Sequence, residues 1–251
     1  MAGAGAAAGL VVSGPVRGLL VDVDDTLVDT RAAMREGVLA AVLRFVPDLD
    51  AEGRATAVAV WLADPAGAFT AYRRGELTFG EQRRVRAERL HAALGGPLLD
   101  GGALAEWEAV YDAVFRGSWQ LLPDAVAMLA VVRGLGLPCG VVTNAPRAYQ
   151  EDKLRALDLA DLPVLVATDD LGVGKPEPAV FRLGCERLGL PPGAVAYVGD
   201  ELDVDARGAR DAGLRGVWLD RHGSGLRPDD VPTVADLTEL PAVLGLPASR
   251  R

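Results

Sequence analysis

The sequence predicts an α/β protein, a parallel sheet with helices on both faces, carrying an all-helical insertion. Three observations predict it. Short β-like runs alternate with amphipathic helical stretches, the pattern of βαβ units. The runs are nearly continuous in apolar residues, as strands covered on both faces must be. One interval, from about Thr30 to Trp119, has no convincing strand at all.

The first run is Val16–Val23. The insertion follows, with helical stretches over Ala32–Phe45, Glu52–Leu62, Phe79–Ala93 and Ala103–Phe115. Pro47, Pro65, Gly75 and Gly95–Pro97 punctuate them. An insertion of this size, directly after the first strand, reads as a second small domain seated above the sheet edge. The alternation then resumes: helix Ala125–Arg133, strand Cys139–Thr143, helix Tyr149–Leu157, strand Val164–Ala167. Helix Ala179–Leu188, strand Ala194–Val198, helix Val204–Ala212 and strand Gly216–Leu219 complete it. The chain thus divides into an Ala/Gly-rich tail over 1–15, expected to be disordered, a core over 16–29 and 120–251, and a helical insertion over 30–119.

Composition excludes several classes. With 251 residues, 50% of them hydrophobic, the chain can bury a full core. A net charge of -9 argues against a partner such as a nucleic-acid polymer, held by bulk electrostatics. Cys139 and Cys185, in a strand-like and a helix-like run, read as two buried thiols, which fits a reducing cytoplasm. The opening MAGAGAAAGLVVSGP lacks the basic region of a signal peptide. No uncharged apolar run reaches the ~18 residues of a membrane span, so a cytoplasmic location is expected. Of 26 lysines and arginines, two are lysines, Lys153 and Lys175, and the remaining 24 are arginines. Each of the two lysines is therefore worth a question.

Polar residues collect at the predicted strand ends, where open α/β sheets bind ligands. In GLLVDVDDTLVDT, Gly18 to Thr30, a buried strand ends in Asp22, Asp24 and Asp25. Two unit charges about 4 Å apart repel by roughly 4 kcal/mol at an effective dielectric near 20. A cation or a shared proton must relieve that. The second strand ends in Thr143-Asn144, a later loop carries Gly174-Lys175-Pro176, and the fourth strand ends in Gly199-Asp200 with Asp203 and Asp205 following.

The order DxDxT, then Thr after a strand, then Lys-Pro, then GDxxxxD resembles the haloacid dehalogenase-like hydrolases. The resemblance runs from about Val16 to Leu246. It implies a Rossmann-like core and, in the helical insertion, a cap domain of the subfamily I type. It implies that Asp22 is a nucleophile toward phosphorus and Asp24 the general acid/base. Mg²⁺ is then the implied cofactor, held by Asp22, the backbone carbonyl of Asp24, and Asp200. Asp205 stands behind them, steadying Lys175 or a water. Lys175 neutralises nucleophile and phosphate together, and Thr143 and Asn144 grip the phosphate with a hydroxyl and backbone N–H groups at a helix start. Pro146 fits the first turn of that helix.

The implied activity is a Mg²⁺-dependent phosphatase acting on a small phosphorylated metabolite, with the cap closing over the site, no membrane partner, and a homodimer allowed. A phosphomutase uses the same motifs on a sugar phosphate. A dehalogenase lacks the second Asp, so Asp24 speaks against it. From a different class, a phospho-accepting regulatory protein shares the Asp, Thr and Lys but not the insertion, and against a metabolite-binding regulatory relative stands the filling of every expected catalytic position. Asp25 stands where this family usually has Gly and reads as a turn residue. Asp29 and Asp203 read as exposed or capping, His91 and His222 as structural or surface, and Tyr72, Arg73, Arg74 and Arg86 as a solvated helix face.

Overall fold

The computed structural model describes residues 14–246, apart from the side chain of Arg73. Positions 1–13 of the expected tail thus lie outside the described residues. The described chain falls into two units: residues up to Asp29 with those from Leu121 onward, and Thr30–Gln120.

The first unit is built on six strands: β1 (Gly18–Val21), β2 (Cys139–Val142), β3 (Val164–Val166), β4 (Val195–Gly199), β5 (Arg215–Leu219) and β6 (Thr233–Val234). All neighbours are parallel, in the order β3-β2-β1-β4-β5-β6. Every residue of β1 and β4 is buried, which is why both strands read as unbroken apolar runs. Leu20, Val142, Val166, Phe181 and Tyr197 form one cluster on the sheet. Burial at this density supplies the main driving force for the unit. The strand order reverses at β1, between β2 and β4, and such a switch point is where open sheets hold ligands. Register brings the strand ends level: Val21 is paired with Val141 on one side and Val198 on the other. Residues just past β1, β2 and β4 therefore emerge at one rim.

Helices make up the second unit and accompany the sheet in the first. Those of the second unit, in chain order, are α1 (Thr30–Phe45), α2 (Ala51–Ala63), α3 (Ala68–Arg73), α4 (Phe79–Ala93) and α5 (Gly101–Gly117). The first unit adds α6 (Pro123–Gly134), α7 (Arg147–Ala156), α8 (Thr168–Leu171), α9 (Pro178–Leu188), α10 (Gly208–Asp211) and α11 (Leu240–Val243). Pro146 is the cap of α7 and not part of its first turn.

The structure departs from expectation in places. The helix expected over Val204–Ala212 is a π-helical turn, Leu202–Arg207, running into α10. Its wider coil turns Asp205 inward, where three protein donors reach the carboxylate. Strand β6 and helices α3 and α8 are too short to give a periodic signal. Neither cysteine is paired; Cys185 is buried, but Cys139, the first residue of β2, is only half-buried. No helix among the described residues is long and apolar enough to cross a membrane.

The helical unit has an aromatic interior. Trp107 stacks on Tyr111, and Tyr111 on Phe115, with ring centroids 5.4 and 5.5 Å apart. Trp61 lies against both Trp107 and Tyr111. His91 is buried between Phe45 and Trp107, and burial lowers its pKa. Side-chain caps start three of its helices: Asp50, Thr78 and Asp100 each accept a backbone N–H of the first turn.

Candidate functional site

The site is a set of loops leaving the level ends of β1, β2 and β4. The chain turns sharply after β1, with the N–H groups of Thr26, Leu27 and Val28 all donating to the carbonyl of Val23. Asp25 occupies the left-handed region there, at φ 58°, a conformation in which an Asp side chain is tolerated and Gly is the usual solution. This turn leaves Asp22 pointing into the protein and Asp24 half-buried beside it.

Lys175 is the hub. Its ammonium donates to Asp22 Oδ1 at 2.6 Å, to Asp205 Oδ1 at 2.7 Å and to Tyr197 Oη at 2.8 Å. Burial alone would lower this lysine, but Asp205 and Asp22 together carry it above the ordinary lysine value. Its backbone is fixed as well: Asn144 accepts from the Lys175 N–H at 2.6 Å and donates to its carbonyl at 3.0 Å. Gly174 must be glycine for this, since a Cβ there would lie 2.4 Å from Asn144 Oδ1. The side chain of Asn144 thus braces Lys175, and any anion contact from this residue falls to its backbone.

Asp205 is held on every side. Its Oδ1 also accepts from Tyr197 Oη at 3.0 Å, and its Oδ2 accepts from the Glu201 N–H at 3.0 Å. Gly199 gives it room, because a Cβ there would lie 2.4 Å from the Asp205 carboxylate. Burial and the Asp205 charge hold the Tyr197 phenol well above its usual range, so it stays a neutral donor.

Asp22, Asp200 and Asp205 each bring a carboxylate oxygen within 4.8 Å of the others. Burial, opposed by Lys175 but supported by Asp205 and Asp24, raises Asp22 to about 7. Burial and the charges of Asp22 and Asp205 raise Asp200 to about 8. Such shifts are what crowded acids do without a cation. The donor set is all oxygen, which suits a hard divalent cation. Asp205 already accepts three protein hydrogen bonds, whereas Asp200 makes one long contact, from Thr26 Oγ1 at 3.5 Å. Asp22 and Asp200 are therefore the side chains better placed to hold an ion.

At the end of β2, Thr143 Oγ1 accepts from the Ala145 N–H at 3.2 Å and from Gln150 Nε2 at 2.9 Å. With two bonds accepted, its own O–H is left as a donor, the role an anion needs. Gln150 also donates to Asp24 Oδ2 at 2.7 Å, and the ammonium of Lys153 pairs with Asp24 Oδ1. Both residues are fully buried on α7.

The six positions singled out in the sequence, Asp22, Asp24, Thr143, Lys175, Asp200 and Asp205, thus meet at one rim with Asn144 behind Lys175. Nothing in the sequence points to Gln150 or Tyr197, and only the rarity of lysine points to Lys153. Asp203 is exposed and pairs with Arg207. Arg74 is exposed and bound to Glu76, while Arg86 is not on a solvated face: it is largely buried over the Trp61 ring and donates to the Trp61 carbonyl. The side chain of Arg73 lies outside the described residues.

Comparison with known proteins bears on the whole chain. Residues 16–213 match the family described as haloacid dehalogenase-like hydrolase. A phosphoserine phosphatase of Thermus thermophilus is 33% identical, covering 87% of this chain and 93% of the relative. A phosphoglycolate phosphatase of Escherichia coli K12 is 31% identical, covering 93% of this chain and 94% of the relative. Among solved structures, a HAD phosphatase from Thermococcus onnurineus is 25% identical with a TM-score of 0.60, covering 92% of this chain and 98% of that one.

Proposed function

The chain belongs to the haloacid dehalogenase-like hydrolases, and we propose that it is a Mg²⁺-dependent phosphatase that hydrolyses a small phosphorylated metabolite through an aspartyl-phosphate on Asp22. The observation that carries this reading is Lys175, buried and bonded at once to Asp22 and Asp205. A cation in that position screens a carboxylate nucleophile from an incoming phosphate dianion.

In this reading an Asp22 oxygen attacks phosphorus and the bond to the ester oxygen breaks. The departing oxygen takes the proton of the Asp24 carboxyl group and leaves as an alcohol. Water then attacks the aspartyl-phosphate, giving its proton back to Asp24, and the bond between phosphorus and Asp22 breaks. One ester and one water become one alcohol and one inorganic phosphate. Thr143 donates its hydroxyl to the phosphate, Lys175 neutralises it, and Asn144 holds the Lys175 backbone in place.

The charge balance supports a metal. Asp22, Asp24, Asp200 and Asp205 against Lys153 and Lys175 leave a formal excess of two negative charges when all are ionised. Asp22, Asp200 and the Asp24 carbonyl would hold Mg²⁺, which when bound supplies charge neutralisation and polarises a phosphoryl oxygen. The helical unit, 30–119, is in this reading the cap, the part that selects the substrate.

The test is release of inorganic phosphate from a panel of monoesters, led by phosphoserine and phosphoglycolate because relatives carry those names. Turnover that requires Mg²⁺ and stops with EDTA is expected. Metal-independent release of halide from a 2-haloacid, with no phosphate released from any ester, would overturn the reading.

A further inference from the structure

Lys153 is the buried charge that the proposed chemistry does not use. Its ammonium is fully enclosed, carried on α7 and paired with Asp24. Burying a lysine is unfavourable unless the site needs it, and an apolar residue of similar volume would pack there at less cost. The chain has two lysines against 24 arginines, by subtraction from 26, and both lysines are buried at this rim. A compact ammonium fits a single carboxylate oxygen where the planar fork of an arginine would demand two.

Gln150 lies three residues earlier on the same helix face. Its Nε2 donates to Asp24 Oδ2 at 2.7 Å and to Thr143 Oγ1 at 2.9 Å. The amide orientation is set by chemistry, because both of these partners accept. Lys153 and Gln150 thus take opposite oxygens of one carboxyl group and fix its plane. Gln150 further ties that group to Thr143, at the end of β2.

We propose that Lys153 and Gln150 form a positioning clamp that holds the Asp24 carboxyl group in the orientation from which it exchanges a proton with the ester and the water. The clamp rests on the phosphatase reading for its catalytic meaning. Its geometric content does not. Neither residue touches the reacting atoms in this scheme; both act through Asp24.

The experiment uses the full-length chain and two monoesters with different leaving groups: phosphoglycolate, whose alcohol must be protonated, and p-nitrophenyl phosphate, whose phenolate departs unaided. Lys153→Met should lower kcat/KM for phosphoglycolate by roughly 10²-fold, the scale of a lost acid–base contribution, and for the aryl ester by much less. Lys153→Arg should recover part of the loss. In an Asp24→Asn background, Lys153→Met should add nothing further. Gln150→Leu, which buries no unpaired charge, should show the same leaving-group dependence on a smaller scale. Equal losses on both esters, or full additivity with Asp24→Asn, would overturn the clamp while leaving the phosphatase reading intact. If the unmodified chain hydrolyses neither ester, that reading has failed on these substrates, and the clamp is judged from a crystal structure of Lys153→Met. A displaced Asp24 carboxyl group supports it, and an unmoved one overturns it.

Discussion

In the α/β unit the strand β1 runs from four buried apolar residues straight into Asp22, and the interior beside it holds Lys175, Asp205, Lys153 and Gln150. The helical unit buries Trp61, Trp107, Tyr111 and Phe115 instead; among its described residues the buried polar side chains are Thr30, Gln82 and His91, none of them an acid or a lysine. Both interiors are dense, but they are dense with different things. Stacked rings and apolar contacts stabilise directly. Buried ion pairs do so weakly, because desolvation cancels much of their attraction. The α/β unit therefore holds four of its charged groups where an aliphatic core would be more stable, and that sacrifice is intelligible as chemistry.

The sharpest way to break this contrast is to remove charge without removing volume. Asp22→Asn should abolish phosphate release in every ester assay while circular dichroism stays that of the folded chain. Undiminished turnover by this variant would leave the acidic interior without a catalytic reason. Lys175→Met should cost about 3–5 kcal/mol of stability as well as activity, since it strands Asp22 and Asp205 side by side without their cation. Urea unfolding at neutral pH measures it, and a loss below about 1 kcal/mol would mean the pair is not the structural keystone it looks like. Trp107→Ala should cost a comparable 3–5 kcal/mol in the helical unit, by lost area and a cavity.

The two interiors were also unequally legible in the sequence. Asp22, Thr143 and Asp200 directly follow β1, β2 and β4, so parallel register brings them together, and the Lys175-Pro176 pair lies in the loop just before α9. Their positions follow from local sequence plus one rule about where such sheets bind ligands. Gln150 and Lys153 lie seven and ten positions beyond Thr143, on a helix whose rotation decides what they meet. Tyr197 reads as one more apolar residue of β4, and only the fold reveals its hydroxyl beneath Lys175. The π-helical turn has no signature in the sequence, where its residues read as an ordinary helix, and only the fold shows Asp205 facing inward. In the helical unit the caps Asp50, Thr78 and Asp100 are written in the sequence, but the rings that stack are not.

The crowded acids of the α/β unit also predict a response to pH. Asp22 and Asp200 hold protons up to about 7 and about 8 in the folded chain without metal, against 3.8 for an ordinary Asp. Between roughly pH 4 and 8 the folded state then binds more protons than the unfolded state, so stability falls as pH rises through that window. Mg²⁺ competes with those protons, so its stabilisation should grow with pH. The rise in Tm on adding MgCl₂ should be larger at pH 8.5 than at pH 5.5, and Asp200→Asn should shrink it at both. An identical rise at the two pH values would separate the acids from the ion.

The smallest effect belongs to the helical unit's surface. Thr78 accepts the Glu81 N–H, and Glu81 in return accepts the N–H of Thr78, closing a reciprocal cap at the start of α4. Thr78→Ala leaves the Glu81 N–H of the first turn to water and should cost about 1 kcal/mol, read as a modest drop in the unfolding midpoint. Because the cap is local and exposed, kcat at 25 °C should not follow it. A stability loss of several kcal/mol from this one hydroxyl would mean that the unit leans on its helix ends more than on its stacked rings, and the contrast between an interior built for packing and one built for charge would have to be redrawn.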